Sequence, residues 1–115
     1  MFAGVVTSGL GEGAQYVEKY NKYFQEVLGV QFFPGTVNLK VRERPAMQNG
    51  TIVTPEEDGL FPVTCYPATC DEKQVFVVSP RKTEHGDDIV ELLATENLRE
   101  SLHLQDGDEL QCELD

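Results

Sequence analysis

The sequence has one segment with helical periodicity among several short strand-like runs. Apolar side chains recur at helical spacing in residues 15–28, which predicts an amphipathic helix that ends at Gly29. The strand candidates are brief and separated by turn residues, and they cover residues 2–7, 36–41, 50–53, 60–66, 74–78, 89–93 and 109–114. Short strands with one long helix favour a closed β-barrel over a parallel α/β sheet.

Two smaller features complete the predicted fold. Asn97 is a candidate N-cap with Glu100 three residues later, which predicts a short helix over residues 97–103. Asp106-Gly107-Asp108 predicts a turn into the last strand. A chain of 115 residues can bury one hydrophobic core, so we expect a single domain over residues 1–115 of the all-β class (β-rich α+β).

The charge of the chain limits its partners. Nine lysines and arginines against 20 aspartates and glutamates give a net charge of -11, which repels a nucleic-acid polymer but leaves enough cations for a small nucleotide. No apolar run reaches the roughly 20 residues of a membrane helix. The N-terminus also lacks the basic segment of a signal peptide. We expect a cytoplasmic protein that binds neither nucleic acid nor membrane, and we expect it to be a monomer.

The three cysteines are Cys65, Cys70 and Cys112, an odd number in a chain that shows no secretory signal. This pattern predicts reduced thiols that pack as small hydrophobic side chains. A zinc site built from the cysteines and a histidine is the less favoured alternative. The spacing between Cys65 and Cys70 is loose for such a site, and no second cysteine pair exists.

A glycine-rich segment, Ser8-Gly9-Leu10-Gly11-Glu12-Gly13, separates the first strand from the helix. Glycines let successive backbone N–H groups converge on an anion, and the start of the helix would add more of them. The segment is not a P-loop, because no Gly-Lys-Ser/Thr follows it. It is either an ordinary tight turn or a phosphate-binding loop.

A second glycine-centred segment, Phe33-Pro34-Gly35-Thr36-Val37-Asn38, opens the next strand. Thr36 and Asn38 lie on one face if the strand is regular, and both carry hard oxygen donors. Both are neutral, so a Mg²⁺ ion there would need to arrive already bound to phosphate oxygens. The two segments together suggest a phosphate-bearing ligand with a metal ion; the alternative for the second is a turn and strand start without a ligand.

A third polar region leads into the strand candidate at residues 89–93. Arg81 and Lys82 are by default solvated charges, and Thr83 is a turn hydroxyl. His85 with its acidic neighbours is more typical of a surface turn than of a metal ligand or a base. Glu91 is different, because it interrupts an apolar run. It lies either on a solvated strand face or in a working pocket, and the sequence leaves both open.

Taken in order, these segments resemble the archaeal-type CTP-dependent riboflavin kinase family. The resemblance covers residues 4–41 and 75–114 and is poor over residues 42–71. Its motifs are Gly4-Val5-Val6-Thr7-Ser8-Gly9-Leu10-Gly11-Glu12-Gly13, Leu28-Gly29, Pro34-Gly35-Thr36-Val37-Asn38-Leu39, Pro80-Arg81-Lys82-Thr83, Glu91, Asn97-Leu98-Arg99-Glu100 and Asp106-Gly107-Asp108. The resemblance implies a small six-stranded cradle-loop (RIFT-type) β-barrel with one main helix. It also implies transfer of the γ-phosphate of CTP to the 5′-hydroxyl of riboflavin, giving FMN and CDP.

The resemblance further implies roles for individual residues. The nucleotide would be held by two groups: Leu10, Gly11, Glu12, Gly13, Ala14 and Gln15, and then Glu96, Asn97, Leu98 and Arg99. Thr36 and Asn38 would ligate Mg²⁺, while Thr83 and Glu91 would contact the flavin. Our hypothesis is that Glu91 is also the catalytic residue, which orients the 5′-hydroxyl and accepts its proton late.

One departure from the family pattern affects the phosphate site. Ala14-Gln15 stands where a basic residue and an aromatic residue are expected after the glycine-rich segment. Part of the phosphate charge would then have to be met by Arg81, Lys82 or Arg99. Two other classes stay open: a non-catalytic flavin or nucleotide sensor on the same barrel, and a protein-interaction barrel. The candidate metal ligands speak against the sensor, since a pure binder needs none.

Overall fold

The described part of the chain is built around a closed antiparallel β-barrel of six strands. The computed structural model describes residues 1–8, 13–43, 45–80 and 88–115. Its elements are β1 (Phe2–Thr7), α1 (Gly13–Leu28), β2 (Val37–Lys40), β3 (Thr51–Val53), β4 (Val63–Cys70), β5 (Lys73–Pro80), β6 (Ile89–Leu93), α2 (Leu98–Ser101) and β7 (Glu109–Leu114). The predicted small barrel with one main helix is confirmed.

Barrel closure depends on β4, which pairs with three other strands. The barrel follows the order β4-β5-β6-β2-β1-β7, and β7 returns to β4. β3 and β7 share one edge of β4: β3 pairs with its first three residues and β7 with its last three. Pro67 lies between them, and its carbonyl accepts a hydrogen bond from the backbone N–H of Asp115 (N···O 3.0 Å). A residue without an N–H is tolerated in that gap, because neither strand pairs with it there.

Alternating apolar side chains fill the barrel interior. They form one buried cluster that includes Phe2, Val6, Val37, Leu39, Val41, Ala68, Val75, Val77, Val90, Leu92 and Leu110. Gly4 on β1 permits this packing, since a Cβ atom there would lie 2.8 Å from the Cβ of Leu39. The interior is therefore a packed core, and a ligand has to bind outside it.

Helix α1 packs against the outer face of the barrel. Its apolar side joins a second buried cluster, whose members are Val17, Tyr20, Tyr23, Phe24, Phe32, Val53, Val63, Cys65, Val78 and Leu93. A series of aromatic rings runs from Tyr16 through Tyr20 and Phe24 to Phe32, with centroid distances of 4.7, 5.8 and 5.0 Å. No helix in the described ranges is long and apolar enough to cross a membrane.

Most predicted boundaries hold, and the main exception is β4. β1, β6 and β7 have the predicted bounds. α1 begins two residues earlier than predicted but ends as expected, because Gly29 adopts the left-handed conformation (φ 75°) that terminates helices. The sequence predicts a strand over residues 60–66, whereas β4 starts at Val63 and continues to Cys70. The backbone of Phe61 is held instead by the hydroxyl of Tyr20, which accepts from its N–H (2.9 Å) and donates to its carbonyl (2.8 Å).

The predicted second helix is present but shorter. α2 spans Leu98–Ser101 rather than residues 97–103. Asn97 is its N-cap as predicted, since Oδ1 accepts a hydrogen bond from the backbone N–H of Glu100 (3.3 Å). The helix ends early because His103 adopts a left-handed conformation (φ 55°), which a right-handed helix cannot include.

The prediction that all three cysteines are reduced is wrong for two of them. Cys70 on β4 and Cys112 on β7 lie directly opposite each other, with Cα atoms 4.3 Å apart, and form a disulfide. Cys65 is a free thiol whose pKa is raised to about 12 by burial. The disulfide also removes two ligands of the alternative zinc site. The pairing depends on barrel closure between strands distant in sequence, which residue spacing does not reveal.

We expect reduction of the disulfide to lower the free energy of unfolding by about 2–4 kcal/mol, because the bond constrains a loop of 42 residues in the unfolded chain. Urea denaturation with and without a reductant, followed by circular dichroism, measures the change. The double variant Cys70→Ala, Cys112→Ala is the control, since its unfolding midpoint has to be independent of reductant. An unchanged midpoint for the wild-type protein on reduction would contradict the prediction.

Candidate functional site

A row of side chains crosses the outer face of the barrel beneath α1. Thr7 on β1 lies opposite Asn38 on β2, and Asn38 lies opposite Glu91 on β6. The row continues through Val78 on β5 to Cys65 on β4. Residues directly opposite each other on antiparallel strands project from the same face, and the last two belong to the cluster under the helix. The predicted metal ligand Asn38 and the predicted catalytic residue Glu91 are therefore neighbours.

The side-chain oxygen of Asn38 is buried and has no hydrogen-bond partner among the residues that the structure describes. The residue is only 4% exposed, and its Oδ1 accepts no hydrogen bond within the described part of the chain. A buried polar group in this state costs roughly 1–3 kcal/mol, and in a native protein it points to a missing ligand, ion or water. An amide oxygen is a suitable ligand for Mg²⁺. The environment of Asn38 thus fits the predicted role.

Thr36 can contribute a second neutral oxygen near the same strand end. It is partly buried and lies two residues before Asn38, just ahead of β2. Within the described ranges, no group of three or more histidine, cysteine, aspartate or glutamate side chains could hold a metal ion. A divalent cation at Asn38 would therefore take most of its coordination from oxygens of a ligand or of water.

Glu91 lies at the edge of the surface that α1 covers and is neither fully buried nor fully exposed. Its charge acts on the phenol of Tyr16, near the start of the helix. Burial, followed by electrostatic interactions with Tyr20, Glu91 and Cys65, raises the pKa of Tyr16 far above its ordinary value. A carboxylate in this position can accept a hydrogen bond from a bound hydroxyl group while it remains partly hydrated.

A chain of polar contacts joins the end of β1 to α2. Oγ of Ser8 donates a hydrogen bond to Oδ2 of Asp106 (2.5 Å). Nη2 of Arg99 donates to Oδ1 of the same carboxylate (2.9 Å) and to the carbonyl of Thr7 (3.5 Å). The hydrogen bond from Ser8, followed by that from Arg99, holds the pKa of Asp106 below its ordinary value. Arg99 already has a carboxylate partner and is therefore a poor candidate for the missing phosphate counter-charge.

The side chains of the second predicted nucleotide group are largely engaged within the protein. Glu96 forms an ion pair with Lys73 (3.2 Å). Asn97 caps α2, Leu98 is buried in the barrel core, and Arg99 is held as described above. A nucleotide at this segment would therefore be recognised mainly by backbone groups.

The start of α1 contains the described end of the glycine-rich segment. Gly13 begins the helix, and Ala14 and Gln15 are exposed in its first turn. The first N–H groups of a helix have no partners within it, and this turn carries no acidic side chain, so it suits an anion. Several predicted residues lie outside the described ranges, and their roles stay predictions: Leu10, Gly11, Glu12, Arg81, Lys82 and Thr83.

Sequence reasoning missed two residues near this site. It predicts only a turn at Asp106 and only an apolar helix face at Tyr16. Asp106 has two polar partners, and the hydroxyl oxygen of Tyr16 is buried without a partner in the part of the chain that the structure describes. Both features depend on contacts between segments far apart in sequence. The only sequence signal at Tyr16 was its phenolic hydroxyl, which Tyr20 and Tyr23 on the same helix face also carry.

Comparison with known proteins identifies one family. Residues 6–114 match the family model CTP-dep_RFKase, described as "Domain of unknown function DUF120". The chain is 35% identical over 109 residues to a riboflavin kinase of Staphylothermus marinus, covering 91% of this chain and 84% of that protein. It is 37% identical over 123 residues to a riboflavin kinase of Sulfolobus acidocaldarius, covering 95% and 77%. A riboflavin kinase of Thermococcus kodakarensis is 36% identical over 127 residues, covering 99% of this chain but 58% of that longer protein. The chain therefore belongs to the archaeal-type CTP-dependent riboflavin kinase family.

Proposed function

We propose that this protein is a riboflavin kinase that transfers the γ-phosphate of CTP to the 5′-hydroxyl of riboflavin, giving FMN and CDP. The observation that carries the proposal is the pairing of Asn38 with Glu91. It sets a buried amide oxygen, which has no hydrogen-bond partner among the described residues, opposite a half-buried carboxylate. The amide oxygen suits a cation, and the carboxylate suits a substrate hydroxyl. The names of the archaeal relatives support riboflavin as the acceptor.

The choice of CTP rests on the family and on residues 96–99. The name of the matching family model supports this donor. These residues would present backbone N–H and C=O groups to the edge of cytosine, since their side chains are engaged elsewhere. Arg99 ties the segment to the end of β1 and so fixes the direction of those groups. Fixed donors and acceptors reject a base with the wrong pattern, because buried polar groups would be left unpaired.

The triphosphate would lie against residues 10–15 and the start of α1. Backbone N–H groups and the positive end of the helix dipole would face its oxygens there. Thr36 and Asn38 would hold Mg²⁺, which when bound neutralises charge on the phosphate oxygens. Because Arg99 is engaged by a carboxylate, Arg81 and Lys82 remain as candidates for a cationic side chain at the phosphates.

Glu91 would align the acceptor. Its carboxylate would accept a hydrogen bond from the 5′-hydroxyl and hold that oxygen in line with the γ-phosphorus, while Thr83 would contact the flavin. In a loose transition state the attacking oxygen keeps its proton until late, so a carboxylate of ordinary basicity is sufficient to receive it. Alignment therefore contributes more to the rate than proton transfer.

The test is FMN formation from riboflavin by the purified protein, measured by chromatography with CTP or ATP, and with Mg²⁺ or excess chelator. We expect FMN with CTP and Mg²⁺ and none in chelator. FMN formation with ATP alone would support the proposed riboflavin kinase activity but would contradict the assignment of residues 96–99 to cytidine binding. Flavin binding without FMN from either nucleotide, at low and high salt, would overturn the kinase in favour of a sensor.

A further inference from the structure

Two neighbouring tyrosines on α1 differ in how their hydroxyl groups are satisfied. The hydroxyl of Tyr20 makes two hydrogen bonds to the backbone of Phe61, at 2.8 and 2.9 Å. The ring of Tyr16 lies 4.7 Å from that of Tyr20, yet its hydroxyl oxygen is buried and unpartnered among the described residues. A phenylalanine would pack equally well at this position, so packing alone gives no reason for a hydroxyl there.

The hydroxyl of Tyr16 approaches the candidate site from the helix side. Tyr16 packs against the cluster that contains Cys65, Val78 and Leu93. The first two belong to the cross-strand row that continues to Glu91 and Asn38. The two unpartnered buried oxygens of the described chain thus lie on two different elements. Asn38 is directly opposite Glu91 in the strand register, and Glu91 also interacts electrostatically with Tyr16.

The groups around this hydroxyl determine what it can do. Burial of Cys65 raises the pKa of its thiol to about 12, so that thiol stays neutral, as does the phenol of Tyr20. Glu91 is the carboxyl group among the described neighbours that act on Tyr16. Burial, followed by the interactions with Tyr20, Glu91 and Cys65, raises the pKa of the Tyr16 phenol and keeps it protonated. A protonated phenol beside a carboxylate is a hydrogen-bond donor at all physiological pH values.

We propose that Tyr16 is a substrate-binding residue that donates a hydrogen bond to a hydroxyl oxygen of the polyol chain of the acceptor. This inference rests on the proposed function. A polyol fits the site because each hydroxyl group both accepts and donates. One hydroxyl accepts from Tyr16, and the terminal hydroxyl donates to Glu91. Two fixed contacts along one flexible chain restrict its rotation and so place the reacting oxygen.

The test compares Tyr16→Phe with the control Tyr20→Phe. We expect Tyr16→Phe to raise KM for riboflavin and Kd for FMN by about five- to tenfold, with KM for CTP unchanged. Its melting temperature stays the same or rises, because no hydrogen bond within the described protein is lost. Tyr20→Phe lowers the melting temperature by several degrees, since it removes both hydrogen bonds between the Tyr20 hydroxyl and the backbone of Phe61, and changes KM for riboflavin by less than about twofold.

Kd for FMN is measured by quenching of flavin fluorescence, which does not require turnover. Unchanged KM and Kd for Tyr16→Phe, in a protein whose wild-type form makes FMN, would overturn the role of Tyr16 and leave the kinase standing. A wild-type protein that binds FMN but makes none would contradict the proposed kinase activity. The Kd of Tyr16→Phe for FMN would still test the hydrogen bond between Tyr16 and the polyol chain. A wild-type protein that binds no flavin would overturn both.

Discussion

Replacement of Glu91 by glutamine lowers kcat for FMN formation by about 100-fold or more and leaves KM for CTP within about twofold of the wild-type value. Glutamine keeps the size of the side chain and one acceptor oxygen but loses the charge that we propose orients the hydroxyl and receives its proton. The segments proposed to bind the nucleotide lie on other elements, so we expect nucleotide binding to be maintained. Steady-state kinetics with each substrate varied in turn separates the two effects.

The matched control is Glu113→Gln, the same change of charge at an exposed position of β7 that pairs with Thr69. Glu113→Gln should leave kcat for FMN formation and KM for CTP within error of the wild-type values. If Glu91→Gln retains near-full turnover, the proposed role of Glu91 as a general base is contradicted. If it raises KM for riboflavin without changing kcat, Glu91 binds the acceptor without assisting the chemistry.

Asn38→Leu should separate stability from activity. Leucine has a similar volume and removes a buried oxygen that has no partner in the described ranges, so the free energy of unfolding stays constant or rises by about 1 kcal/mol. The same change removes a proposed Mg²⁺ ligand, and kcat/KM for CTP with Mg²⁺ should fall by about 100-fold or more. Asn38→Asp keeps an oxygen at the site and should retain most of the activity.

Asn21→Leu is the control for this experiment. The amide of Asn21 donates to the carbonyl of Phe32 (3.0 Å) and accepts from its N–H (2.8 Å), so leucine leaves two backbone groups unpaired. This variant should lose stability by about 2 kcal/mol while the folded fraction keeps its KM for both substrates. A destabilised Asn38→Leu that turns over normally would show that the oxygen serves the fold, and the metal assignment would fail.

Local patterns predicted the elements of this protein better than their connections. β1, β6 and β7 are short apolar runs bounded by turn residues, and their bounds follow from sequence. The start of β4 does not follow from sequence. Leu60 packs against the cluster beneath α1 and the backbone of Phe61 is hydrogen bonded to Tyr20, although both residues look like strand residues in isolation. Closure of the barrel between β4 and β7, with the disulfide across it, depends on register between distant segments, which no local signal carries.

In the candidate site, too, the residue types could be predicted from sequence but their spatial arrangement could not. The residue types at positions 36, 38 and 91 indicated oxygen ligands and a carboxylate in an unusual place. Their proximity is a matter of strand register, and a shift of β2 against β6 by one residue would turn Asn38 away from Glu91. The partners of Asp106 could not be predicted at all, because serine, arginine and aspartate are common on any polar surface.

The contacts of Asp106 have a consequence for the thermodynamics of nucleotide binding. Ser8 lies just before the first of the two segments proposed to hold the nucleotide, and Arg99 belongs to the second. The carboxylate of Asp106 binds both residues and so joins the two regions before any ligand arrives. The residues at that junction therefore lose conformational entropy when the chain folds and not when the nucleotide binds. Removing the carboxylate would shift part of this loss to the binding step. The affinity for nucleotide would then weaken through an unfavourable entropy change, even though Asp106 is assigned no contact with the ligand.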